Sequence, residues 1–145
     1  VKRRNPFDVL VRLRSINERQ ARASLANARH ARDQARRKLD ELKEIHREEI
    51  DVGELLGPVT LRSLQLRGMG SHEMLSEAAR VLYNSERAMN SRAEAWRRAA
   101  ADVDAAERLD EHRKQELGRE AAKAAEKSLD DLIGMLHARP KDGLI

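Results

Sequence analysis

The chain has 145 residues, 37% of them charged, and only three aromatic side chains, Phe7, Tyr83 and Trp96; so few large apolar groups exclude a thick globular core, and the abundance of Ala, Arg, Glu, Leu and Lys points to long helices meeting along narrow seams. With no cysteine there is no disulfide or thiolate chemistry, and no apolar run is long enough to cross a bilayer or to form a signal-peptide core behind Lys2-Arg3-Arg4, so a cytosolic chain is expected. The net charge is +4 with a pI near 9.8, and the basic excess lies early, where Lys2, Arg3, Arg4, Arg12, Arg14, Arg19 and Arg22 face only Asp8 and Glu18; that end should seek acidic surfaces.

The first predicted element is a helix over residues 5–57. Asn5 is a good cap ahead of Pro6, whose missing N–H is harmless in a first turn, and Asp8 follows where a carboxylate meets unpaired N–H groups. Apolar residues then recur at Leu10, Leu13, Ala21, Leu25, Ala28, Ala35, Leu39, Leu42 and Ile45. Within that series Ala21, Ala28, Ala35 and Leu42 are spaced by seven, the pattern of a coiled-coil stripe. Glu18 with Arg22 and Asp33 with Arg37 are i, i+4 pairs of the favourable polarity.

Between residues 53 and 70 lie Gly53, Gly57, Pro58, Gly68 and Gly70, and the periodicity fails. Pro58 is read as the end of the first helix, and residues 58–70 as a bend with a short irregular or helical segment. Leu61, Leu64, Leu66, Met69, Met74 and Leu75 gather apolar surface there, either packing locally or forming a docking patch.

A second helix is predicted over residues 71–138, with Ser71 as its cap. Leu75, Leu82, Met89, Trp96 and Val103 are spaced by seven, and Ala78, Ala99 and Ala106 lie three residues further on. The stripe continues through Leu109, Leu117, Ala121, Ala125, Leu129, Leu132 and Leu136, with His137 and Arg139 suiting the helix C-terminus. Pro140 closes the helix, and residues 139–145 form a flexible tail. The expected fold is therefore all-α: residues 1–145 as a single elongated domain, a long antiparallel two-helix coiled-coil hairpin. At 1.5 Å per residue the first helix is roughly 75 Å long and the second roughly 100 Å, so the C-terminal end should overhang or bend.

Polar residues interrupt both seams, Arg32 and His46 in the first and Ser85 and Arg92 in the second. Either long side chains snorkel to the surface, or the imperfect seam is clasped by another protein. Trp96 and Met89 read as seam anchors. His30, His46, His72, His112 and His137 have no spacing that aims two ligands at one ion, so no metal is expected. Gly68-Met69-Gly70 is a turn signal too short to cradle a nucleotide, and nucleophile–base constellations are absent, so neither a cofactor nor catalysis is expected. Interleaved acids and the lack of stacking aromatics argue against nucleic acid as a partner.

Certain residues, taken in order, resemble the FliJ family of flagellar export proteins. Phe7, Leu10, Leu13, Glu18-Arg19-Gln20-Ala21, Leu25-Ala26, Ala28, Ala35, Leu39 and Leu42 look like the family's opening. Trp96-Arg97, Leu109, Glu111, Arg113 and Glu126-Lys127-Ser128-Leu129-Asp130-Asp131-Leu132 look like its tryptophan, its glutamate–arginine stretch and its final lysine-and-acid motif. The resemblance spans the chain except residues 50–74. It implies a cytoplasmic component of the flagellar type III export apparatus, peripheral at the inner face of the cell membrane. In that family a two-helix stalk inserts its terminal ends into the hexameric export ATPase FliI and contacts the export gate protein FlhA and, in some members, export chaperones.

Carried over by resemblance, the candidate ATPase-binding residues are Arg12, Arg14, Arg19 and Arg22 with Lys127, Asp130 and Asp131 on the antiparallel neighbour. The candidate gate-binding residues are Lys38, Leu42 and Ile45. An injectisome stalk and a self-associating structural coiled coil are the competing expectations.

Overall fold

The computed structural model describes residues 5–53 and 58–138, and the backbone alone for residues 52–53 and 58–67. The chain is all-α, with α1 over Pro6–Gly53 and α2 over Pro58–His137 packed antiparallel as a helical hairpin. Asn5 caps α1 as its sequence suggests: its side-chain oxygen accepts from the Phe7 N–H at 3.1 Å, and its carbonyl accepts from the Asp8 N–H at 3.1 Å. Pro58 does not end the first helix; it opens α2, at the position where proline costs least.

Of the two forms expected over residues 58–70, irregular or helical, the segment is helical throughout, and it is continuous with α2, which passes through Gly68 and Gly70 without a break. Glycine in a helix lowers stability without forbidding the conformation. Ser71 is thus no cap; its hydroxyl donates to Glu49 Oε2 across the seam at 2.9 Å. The apolar side chains expected at Leu61, Leu64 and Leu66, and the tail 139–145 with Arg139 and Pro140, lie outside the described residues.

Two compact units divide the chain, and each is built from one stretch of α1 against one stretch of α2. In the unit of residues 15–101 the pairing runs from Glu18 opposite Trp96, through Arg36 and Glu86 at 3.1 Å, to Glu49 opposite Ser71. Its core is small: Leu25 (3% exposed), Ala35, Leu39 and Ala78 are buried, and none of its described side chains is wholly shielded. In the unit of residues 1–14 and 102–145, Arg14 meets Asp102 at 3.6 Å and Asn5 donates to Asp110 at 2.9 Å, with Ala106 buried between.

A continuous series of shielded positions in α1 steps alternately by four and three residues: Phe7, Val11, Arg14, Glu18, Ala21, Leu25, Ala28, Arg32, Ala35, Leu39, Leu42, His46, Glu49, with Leu10, Ser15, Ser24 and Asp33 half-buried beside it. Leu13 and Ile45, expected in the seam, are about half exposed, at 53% and 49%. Their places are taken by the next residues, Arg14 and His46. The same displacement occurs on α2, where Asp110 and not Leu109 continues the series after Val103. The expected Asp33–Arg37 pair is replaced by Asp33 with Arg32 at 2.7 Å, whereas Glu18 and Arg22 do pair, at 2.6 Å.

Candidate functional site

The seam carries two buried acids, and both are held in the same way. Glu18 accepts from the Trp96 indole N–H at 2.8 Å and from the Arg22 guanidinium at 2.6 Å. Asp110 accepts from the Asn5 side-chain amide at 2.9 Å and pairs with Lys114 at 2.8 Å. Each acid thus takes a neutral donor from the facing helix and a cation one turn along its own. The Trp96 hydrogen bond, ahead of Arg22, holds the Glu18 carboxyl below the ordinary carboxylate value; Asp110 raises the Lys114 ammonium in the same manner. These groups fix the pairing of the helices.

The expected ATPase-binding arginines divide by their partners. Arg14 and Arg22 are engaged by Asp102 and Glu18. Arg12 and Arg19 are exposed, and no ion pair among the described residues involves either. Val9 and Leu13, within a turn of Arg12 on α1, and Leu109 of α2 in the same unit are large apolar side chains that also face solvent. The apolar part of this surface was hidden in the sequence, because Leu13 and Leu109 look like seam residues there.

Lys127, Asp130 and Asp131 are exposed but are not opposite those arginines. Asp110 is the residue that faces Asn5, and Lys127 lies about 17 residues, roughly 25 Å, further along α2. From Leu117 to His137 every residue of α2 is exposed, so the stripe expected to continue the seam has no facing helix among the described residues.

The expected gate residues separate as well. Lys38 and Leu42 line a groove of about 360 Å³ with Ala35 on α1 and Gly70, Met74, Ala78 and Val81 on α2. Small residues at Ala35, Gly70 and Ala78 open it, and Glu73 and Glu77 stand with Lys38 as its charged lining. Ile45 is not part of that lining. Only the α1 half of the groove belonged to the sequence expectation, since Met74 and Ala78 read there as bend and seam.

Among the described residues no group of three or more His, Asp or Glu side chains could hold a metal ion, and no helix is long and apolar enough to cross a membrane. No curated protein and no solved structure matches the chain. A family model described as flagellar FliJ protein matches residues 3–142, in agreement with the resemblance carried by the opening and closing motifs. The chain therefore belongs to the FliJ family, and its role is related to flagellar export.

Proposed function

We propose that the chain is the coiled-coil stalk of the flagellar export ATPase. Its basic end docks on the hexameric ATPase FliI, the groove at Lys38 and Leu42 faces the export gate protein FlhA, and export chaperones are further partners. It works in the cytoplasm, peripherally at the inner face of the cell membrane. It catalyses nothing itself and acts by activating its partner.

The observation that carries this reading is the surface around Arg12. An exposed arginine with exposed Val9 and Leu13 within a turn of it offers both steering charge and desolvation energy to an acidic, partly apolar partner. The groove supports the gate half of the reading, with an apolar floor for one large side chain and charges of both signs to orient it.

The test is co-sedimentation with purified FliI, using Arg12→Glu with Arg19→Glu. Arg14 and Arg22 are left alone because their removal also breaks internal ion pairs. Binding should fall by at least about tenfold, the effect of reversing two steering charges at an interface. Undiminished binding would refute the assignment of this end. In a parallel test, Lys38→Glu with Val81→Glu should weaken FlhA binding and leave FliI binding intact.

A further inference from the structure

Arg22, Arg29, Arg36 and Lys43 follow one another at seven-residue steps in α1, and nowhere else in the chain do more than two cations repeat at that step. Each stands four residues beyond a seam residue, Glu18, Leu25, Arg32 or Leu39. That offset places all four on one flank of the seam, where all are exposed, as a ridge with a cation roughly every 10.5 Å over roughly 31 Å. The other flank of the same stretch carries Ser24, Ala31, Lys38 and Ile45, with a single cation.

Flanking positions of a coiled coil ordinarily set opposite charges against each other. On this flank Arg36 meets Glu86 at 3.1 Å. A step forward on α1 is a step back on α2, so the same register sets Ala100 opposite Arg22, Ala93 opposite Arg29 and Ala79 opposite Lys43. Three of the four cations therefore face alanine. Arg22 turns to Glu18 on its own helix, and no ion pair among the described residues involves Arg29 or Lys43. A row of cations beside a row of small side chains suits one further helix, because alanine lets its backbone approach and the cations remain for its acids. We infer that this flank binds an acidic amphipathic helix of a partner protein, with a carboxylate at every seventh position set against Arg22, Arg29, Arg36 and Lys43. The flank is not the one that carries Lys38, so this surface is distinct from the groove.

A nucleic acid is a poorer occupant. Asp33 and Asp40 stand beside the ridge, one between Arg29 and Arg36 and the other between Arg36 and Lys43, and a phosphate backbone following the cations would pass both. A helix sets uncharged residues there, because its own acids are seven residues apart. A second copy of the chain is also a poorer occupant, since nowhere in the sequence do three acids follow at seven-residue steps.

The test is fluorescence anisotropy of a labelled synthetic helix titrated with the full chain at low salt. The probe is a peptide of about 28 residues, long enough to be helical, built of alanine, leucine and glutamine with glutamate at every seventh position. Its control has the same composition with the glutamates grouped at one end. The chain should bind the first peptide saturably and at least about tenfold more tightly than the second. Arg29→Glu with Lys43→Glu, which removes no ion pair among the described residues, should weaken binding by at least about tenfold. A peptide with lysine at the two matching positions should recover it. Arg37→Glu with Arg108→Glu, the same change of charge off the ridge, should leave binding unchanged. No binding, equal affinity for the two peptides, undiminished binding by the ridge variant or an equal loss in the off-ridge variant would each overturn the proposal. So would a single-stranded oligonucleotide that displaces the peptide at lower concentration than unlabelled peptide does, which would make the ridge a nucleic-acid site.

Discussion

Glu18 and Asp110 sit where a coiled coil ordinarily buries leucine, and each is satisfied by a donor that only the correct register supplies. A one-turn slip would leave an ionised carboxylate facing apolar neighbours, so these two residues select the pairing more than they strengthen it. The Glu18 carboxyl lies below its ordinary value chiefly through the Trp96 hydrogen bond. Its stabilising contribution is therefore complete above about pH 4.5, the unfolded-state value, and is lost as the pH falls through the lower folded value. Trp96→Phe should lower the thermal midpoint at neutral pH by a few degrees and flatten that acid limb, as thermal unfolding followed by circular dichroism at several pH values will report. His46 offers the converse case. Its Nδ1 is buried without a partner among the described residues, so His46→Leu should raise stability by about 1 kcal/mol in urea denaturation. These polar seam positions are also where the sequence misleads. Leu13, Ile45 and Leu109 attract the eye as apolar, yet the adjacent Arg14, His46 and Asp110 face the other helix because the three-and-four step places them there, and of these three only His46 is read as a seam residue from the sequence.

At the level of elements, the heptads Ala21, Ala28, Ala35, Leu42 and Leu75, Leu82, Met89, Trp96, Val103 were legible because apolar residues repeat there without interruption, and all are shielded in the structure. Leu39 is 7% exposed within that seam, and Leu39→Ala should cost about 2 kcal/mol, the lower end of the range for buried leucine, since a two-helix seam can partly close over the gap. The start of α2 was not legible. Glycine and proline mark breaks only statistically, and Pro58 at a first helical position and glycines within a long helix are both permitted conformations. Cβ atoms added at Gly68 and Gly70 would meet nothing within 4 Å, and neither residue has positive φ. Gly68→Ala and Gly70→Ala should therefore each stabilise the chain by about 0.5–1 kcal/mol; destabilisation would indicate a turn at these positions. The stripe beyond Leu117 was visible in sequence and the unequal predicted helix lengths pointed to an overhang, but the residue at which the facing helix ends was not visible. That follows from Asn5 being set opposite Asp110, a register carried by two polar side chains.

For the molecule as a whole, family membership was readable from the order of motifs at its two ends, and the family model spans nearly the whole chain. What motif order could not convey is which members of a candidate site are available to a partner. Arg14 and Arg22 are ion-paired within the chain, while Arg12 and Arg19 form no ion pair among the described residues. Lys38 and Leu42 share a groove with Met74 and Val81 that no stretch of sequence presents as contiguous. In the proposed stalk, a docking end and a gate-facing groove lie on different stretches of the helices, so changes at one should spare the other. The most direct measurement is the rate of ATP hydrolysis by purified FliI as the chain is added, beside Arg12→Glu with Arg19→Glu and beside Lys38→Glu with Val81→Glu. The expected result is stimulation by the wild type and by the groove variant, and its loss in the arginine variant. An ATPase active on its own and unaffected by the wild-type chain would contradict the stalk.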